Sequence, residues 1–436
     1  MVFAEEIPCD RNVEIDKDDD NSECDGVFPI PNFGTDVGDI PDRKAYVTKW
    51  DIFWIVFSII THLVDLGTDL NLAWQYFRKE NYGYFIWTSA FLFLPSFINI
   101  IVSIRMYQQD YEQKPQGVKL PTLTSRAVQQ KFCCPFILIF QLAPVLRYMD
   151  CLKYACRSFQ CRKDGNRDGQ KKYYLKMLKE EQDISLLRVF ECFLEAAPHQ
   201  VLQLTLMMYD YNDDRKVNFH FIHQTISILS SLGSMGWAMS SYHRNIRLAQ
   251  WDKENISLIG TWIQFLWHFC VTVSRIIAIS AAAAIVSVPT AIVCFIHWFV
   301  MTIWIISKPR GVIQFCRDQS RPPQTPLKIH ERIGAYLFAS VFGVVYVFTY
   351  LKPNEGSTFY KHIFYYSICA IENIIACILW TYVEYEKVHT LWYYELVICL
   401  CTVPFILGVL FMIVYYRFFH PSLKKVTVDS DVPVST

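Results

Sequence analysis

A chain of 436 residues that is 53% apolar and only 19% charged, with mean hydropathy +0.19, is too oily for a soluble globular protein. Its 41 basic and 41 acidic residues cancel. Net charge therefore points to no nucleic-acid or acidic partner, and only the placement of the charges is informative.

The first 49 residues are polar, acidic and rich in Pro and Gly. They read as a disordered cytosolic tail, with no short apolar segment that resembles a cleavable signal. Ten apolar segments follow, at about 50–77, 82–107, 132–155, 184–209, 217–241, 256–283, 285–307, 333–351, 361–384 and 391–416. Uncharged runs such as Asn81 to Ile104, Ile276 to Ser307 and Leu396 to Tyr416 reach the roughly 20 residues that a helix needs to cross hydrocarbon. The fold class expected is an all-α polytopic membrane protein, with a membrane domain over 50–416 and a second cytosolic tail over 417–436.

Cytosolic loops carry an excess of Lys and Arg. Residues 105–131, 152–183 and 308–332 are basic, 152–183 most of all through Lys153, Arg157, Arg162, Lys163, Arg167, Lys171, Lys172, Lys176 and Lys179. Because 105–131 and 152–183 flank one apolar segment, 132–155 must enter and leave on the same side. Its Gln141, Pro144 and Arg147 suit a re-entrant hairpin covered by protein or water. A cytosolic C-terminus then requires a second segment that does not cross, and 361–384, interrupted by Glu372 and Asn373, fits best. The expectation is about eight transmembrane helices plus two partial insertions, with a possible two-repeat architecture.

The first apolar helix contains Asp51, Asp65 and Asp69. At about 100° per residue, Asp65 and Asp69 fall at roughly 320° and 0° from Asp51, so the three acids share one stripe. In LLRVFECFLEAAPHQVLQL, Arg188, Glu191 and Glu195 follow i, i+3, i+7 spacing, and Pro198 is expected to end or kink the helix. Arg105, Arg147 and Arg275 add positive charge, and Glu372 another acid. At roughly 2.5–3.5 kcal/mol for each charge at a helix centre, six lipid-facing acids would cost ~15–20 kcal/mol, so they cannot all face lipid. They are paired in a closed core that fixes helix register, or protonated, or they line a hydrated path for an ion, an amino acid or a lipid headgroup. Asp51 and Arg105 are also suited to the interface, where charge costs little.

No HExxH, GxSxG, phosphate-binding Gly loop or paired zinc-type Cys spacing occurs, so no enzyme, metal site or cofactor is expected. His62, His199, His268 and His297 read as separate core or interface residues on apolar helices. Trp50, Trp251, Tyr350 and Trp392 read as interfacial anchors. Most of the Cys, such as Cys270 and Cys369, read as small core residues, whereas Cys133, Cys134, Cys151, Cys156 and Cys161 beside the basic loop permit palmitoylation.

Several stretches resemble the XK-related proteins, some of which are phospholipid scramblases. They are DLGTDL at 65–70, LPSFINI at 94–100, QLAPVLRY at 141–148, RVFECFLEAAPHQVLQL at 188–204, IENIIACILW at 371–380 and YYRFFHP at 415–421. His199 stands where that family often has Gln. The resemblance implies a plasma-membrane protein with both termini in the cytosol, whose charged tract passes headgroups, phosphatidylserine among them, while acyl tails stay in lipid. On matching positions the tract would use Asp65, Asp69, Arg147, Arg188, Glu191 and Glu195, with Asp51, Arg275 and Glu372 beside it. It also implies an accessory membrane subunit or a second copy as partners, and a caspase that removes a tail. Asp36-Val37-Gly38-Asp39 and Asp39-Ile40-Pro41-Asp42 present Asp39 and Asp42 as cleavage positions, and Asp25-Gly26 another, although nine Asp in 49 residues create such spacings by chance. The competing functions are a solute or ion transporter using the same stripe, a non-transporting partner of a lipid-transfer protein, and a scaffold.

Overall fold

Thr48 begins the first helix. Its hydroxyl accepts from the Asp51 backbone N–H at 3.3 Å, and the Asp51 carboxylate accepts from the Thr48 N–H at 2.7 Å, a reciprocal cap that satisfies two otherwise orphaned donors. The computed structural model describes residues 46–112, 142–209, 219–248, 255–307, 312–313, 316–317, 325–351, 359–383, 389 and 391–420. Among them the helices are α1 (Lys49–Arg78), α2 (Tyr82–Glu112), α3 (Leu142–Lys163), α4 (Arg167–Glu191), α5 (Ala197–Tyr209), α6 (Phe219–Leu248), α7 (Leu258–Ile285), α8 (Ser287–Ser307), α9 (Ile329–Phe348), α10 (Phe359–Tyr382) and α11 (Tyr394–Val414). Five-residue π segments, Cys192–Ala196 and Tyr415–Phe419, join α4 to α5 and extend α11. No strand occurs among the described residues, so the all-α expectation holds.

Helix α7 is the axis of the bundle, with Trp267, Val271, Ile276, Ala278 and Ala281 buried. Small residues bring its neighbours close. A Cβ on Gly408 of α11 would stand 2.7 Å from Val271, and one on Gly236 of α6 would stand 2.9 Å from Phe269, so glycine is what lets these backbones touch. The outer helices turn their large apolar side chains outward, as Phe53, Ile60 and Val64 on α1 and Ile292, Phe295 and Phe299 on α8 do. A water-soluble protein could not sustain that surface, and a bilayer requires it. This is a polytopic membrane protein. Among the described residues seven helices, α1, α2 and α7 to α11, are long and apolar enough to cross on their own, while α3, α4 to α5, and α6 carry more of the polar residues.

Four local expectations change. Helix α10 runs unbroken through Glu372 and Asn373, because both side chains are satisfied sideways by neighbouring helices. Pro198 does not end its helix: the chain widens into the π turn immediately before it, with the Ala197 N–H bonding the Cys192 carbonyl five residues back. That widening relieves the clash a proline ring makes with the carbonyl four residues earlier. Tyr350 is no interfacial anchor. It is buried in a ring cluster with Tyr346 and His362, because its phenol packs inward, whereas Trp50 and Trp392 are exposed. Cys151 is fully buried in the α3–α4 core and so is closed to palmitoylation. Trp251, Cys133, Cys134, residues 132–141 of the expected hairpin and the cleavage candidates Asp25, Asp39 and Asp42 lie outside the described residues.

Candidate functional site

Among the described residues, three charged centres lie inside the bundle. The first is a seam between α1 and the α4–π–α5 run. His62 Nδ1 lies 2.8 Å from Glu191 Oε1, and His199 Nδ1 lies 3.8 Å from Asp69 Oδ1. Asp65 interacts electrostatically with Glu191, His62 and Arg188, and Asp69 with Asp65 and Glu191. Arg188 lies beside the Tyr148 hydroxyl of α3. Asp69, Glu195 and His199 meet Thr88, Phe91 and Leu92 of α2 around a concavity too narrow for a water molecule. The π turn decides which way Glu195 faces, since it carries one more residue per turn than an α-helix.

Four carboxylates thus share this seam with one guanidinium and two imidazoles. Asp65 is exposed on the outer side of the bundle, Asp69 and Glu191 are partly exposed, and Glu195 is buried, so the seam runs from the surface inward. Helix α1 is held lightly: its buried residues are Ile55, His62, Leu66 and Ala73.

The second centre encloses Arg147 completely. Its guanidinium donates to Glu180 at 3.1 Å and Asp183 at 2.7 Å, and to the Ser103 hydroxyl and carbonyl at 3.3 Å each, and it stacks 3.7 Å above the Tyr107 ring. Fully ligated and stacked, this arginine is a fixed joint between α2, α3 and α4.

The third centre joins α7, α8, α9 and α10. Arg275 donates to Glu372 at 2.6 Å, to the Asn373 carbonyl oxygen at 2.8 Å and to the Val347 carbonyl at 3.1 and 3.2 Å. Glu372 also faces His297 Nδ1 at 2.8 Å, whose Nε2 lies 3.0 Å from the Tyr346 carbonyl. Beside it an apolar cavity of about 120 Å³ is lined by Ala282, Val293, Ile375 and Leu379.

The sequence-predicted residues therefore divide. Asp65, Asp69, Arg188, Glu191 and Glu195 come together, Arg147 lies in the second centre, and Arg275 and Glu372 pair in the third. Asp51 caps α1 beside Glu181 and Arg244. Sequence reasoning missed His62, His199 and His297 as partners of the acids, and Glu180 and Asp183 as partners of Arg147. The first was findable, because His62, Asp65 and Asp69 repeat the i, i+3, i+7 spacing of Arg188, Glu191 and Glu195, a nitrogen-bearing side chain followed by two acids on each facing helix.

The model of the family described as XK-related protein matches residues 53–421. The chain belongs to the XK-related family. Its matched span contains all three charged centres. Among curated proteins it is similar to Cell death abnormality protein 8 of Caenorhabditis elegans, 26% identical over 395 residues that cover 88% of this chain and 82% of the relative. The Caenorhabditis briggsae protein of the same name is 25% identical over 398 residues, covering 88% and 81%. The matched span covers nearly the whole membrane domain and leaves the acidic tail outside it.

Proposed function

We propose that this protein is a passive, bidirectional phospholipid scramblase of the plasma membrane, with both termini cytosolic, which exposes phosphatidylserine and is latent until a caspase removes a tail during apoptosis. The observation that carries the reading is the seam of Asp65, Asp69, Glu191 and Glu195 beside Arg188, open to the outside at Asp65 and lined by polar groups inward. A headgroup entering hydrocarbon loses its hydration, at a cost of several kcal/mol for each polar group. The seam replaces that hydration, accepting the amine at its carboxylates and the phosphate at Arg188, while the acyl tails stay against the apolar outer face of α1. No cofactor, metal or covalent step enters, since flow follows the existing asymmetry.

The narrowness of the concavity at Asp69, Glu195 and His199 supports latency, because a headgroup passes only if α1 moves away. The sparse burial of α1 makes that movement inexpensive. The relatives named for abnormal cell death support the apoptotic setting. Arg147 and Arg275 hold the helices that frame the path. An accessory membrane subunit or a second copy of the chain is the partner class proposed.

The test is reconstitution of the full chain, and of a version beginning at Ile40, into protein-only vesicles with labelled lipids. The shortened chain should equilibrate the label between leaflets and the full chain should not. Equal rates in both would overturn latency, and no lipid movement in either would overturn the scramblase reading. Substrate-dependent current or uptake in the same vesicles would favour a solute transporter on the same seam.

A further inference from the structure

The α3–α4 hairpin has a charge pattern that the membrane seam does not use. Between Lys153 and Lys179 it carries nine basic residues against Asp164 and Asp168, a balance of +7. Its tip turns through Gly165, whose φ of +73° is the left-handed conformation that glycine adopts without penalty, and Asn166 caps α4 by accepting from the Gly169 N–H at 2.8 Å. Arg162, Lys163 and Arg167 at this tip are exposed, and Lys171 and Lys172 are partly so. Beneath them lies a small apolar core of Cys151, Tyr154, Ala155, Met177 and Leu178.

The N-terminal segment joins the fold on this hairpin. Val47 is 1% exposed within that core, and the Arg162 guanidinium lies 4.0 Å above the Tyr46 ring. The residues that precede Tyr46 contain thirteen acidic and four basic side chains, a balance of −9. Ten of those acids lie at or before Asp25. The twenty residues between Asp25 and Tyr46 can span up to about 70 Å, twice the ~33 Å of a 22-residue helix. The acidic stretch therefore reaches every basic residue of the hairpin from a point already fixed to it. Tethering of this kind raises the effective concentration to the order of millimolar.

We infer that residues 1–45 dock through their carboxylates on the basic face of the α3–α4 hairpin, with Arg162, Lys163, Arg167, Lys171 and Lys172 as the receiving surface. The contact is intramolecular and electrostatic, so it weakens as salt shortens the screening length. It needs no assumption about what passes through the seam. The other occupant such a surface could hold is an anionic membrane face, and the directly attached segment of opposite charge is favoured by its point of attachment.

The experiment is amine footprinting of the full chain in pure phosphatidylcholine vesicles, reading acetylation of Lys163, Lys171 and Lys172 by mass spectrometry. Two variants are compared with it: one lacking residues 2–45, and one carrying Asp18→Lys, Asp19→Lys and Asp20→Lys in an otherwise intact chain. Docking predicts that reactivity at these lysines rises at least about threefold in both variants, and in the full chain at ~0.5 M salt, where the screening length drops to about half its physiological value. Lysine reactivity that is the same in all three proteins would overturn the inference. So would protection that appears only when anionic phosphatidylglycerol is added and survives deletion of the tail, which would give the hairpin to the membrane surface.

Discussion

The seam on α1 and the Arg275 centre are built from the same side chains and come to opposite ends. At Arg275 one guanidinium meets one carboxylate, and histidine, asparagine and backbone carbonyls occupy the remaining valences. At the seam four acids meet one arginine and two histidines across a lightly held helix, with Asp65 at the surface. A buried charge whose partners are complete behaves as a joint, and removing one side leaves an uncompensated ion. Four acids gathered on facing helices oppose one another in low dielectric, which a joint does not require. On the scramblase reading, the difference separates framework from pathway.

The largest effect should follow Arg275→Met. It leaves Glu372 against His297 without its guanidinium, and the cost expected is about 3–5 kcal/mol, read as a marked fall of the melting transition in detergent. A variant that melts like the parent would break the comparison on the framework side.

Glu181, next to Asp51 at the edge of the α1–α4 junction, provides the next largest effect. Burial, reinforced by the Asp51 carboxylate and partly offset by Arg244, pushes Glu181 up from an ordinary 4.5 to about 7. For an acid raised in the folded state, the native form binds more protons than the unfolded one between those values. Stability therefore falls as pH rises from about 4.5 to about 7, on the order of 2–3 kcal/mol, and levels off above. Glu181→Gln should flatten that slope in melting curves taken across this window. An unchanged slope would assign the pH dependence to other groups.

Smaller in energy but more specific is Glu191→Gln. It removes the partner of His62, and on the scramblase reading it lowers the lipid flip rate of the shortened chain by about tenfold, equivalent to ~1.4 kcal/mol. The melting temperature should stay within a few degrees of the parent, since the seam contributes little to the framework. A fall in stability as deep as that of Arg275→Met would erase the distinction. Most local of all, Pro198→Ala restores a backbone donor opposite the Leu194 carbonyl and lets the π turn relax. Its flip rate should nonetheless drop, because Glu195 rotates with that turn. An unchanged rate would show that the orientation of Glu195 is unimportant.

Much of this was legible in the chain. The uncharged runs gave the helices because length and hydropathy are local properties, and the stripe of Asp65 and Asp69 emerged from helical spacing alone. Glu180 and Asp183 were assigned to a basic loop, since nothing local reveals that α4 continues unbroken from that loop into the membrane segment and carries both acids back to Arg147. The break expected at Glu372 and Asn373 failed for the same reason: polarity in a helix reads as interruption until its partner on another helix is known. The π turn was hidden because the helical count assumed 3.6 residues per turn on both sides of Pro198.

The central claim is tested most directly by neutralising the seam and the framework separately in the chain that begins at Ile40, and measuring labelled-lipid equilibration in protein-only vesicles alongside melting temperature. Asp65→Asn with Glu195→Gln should abolish most of the lipid movement while the protein melts as before, and Glu372→Gln should lower the melting temperature and leave the flip rate per folded molecule near the parent's. Full lipid movement in the seam variant, with its fold intact, would contradict the account.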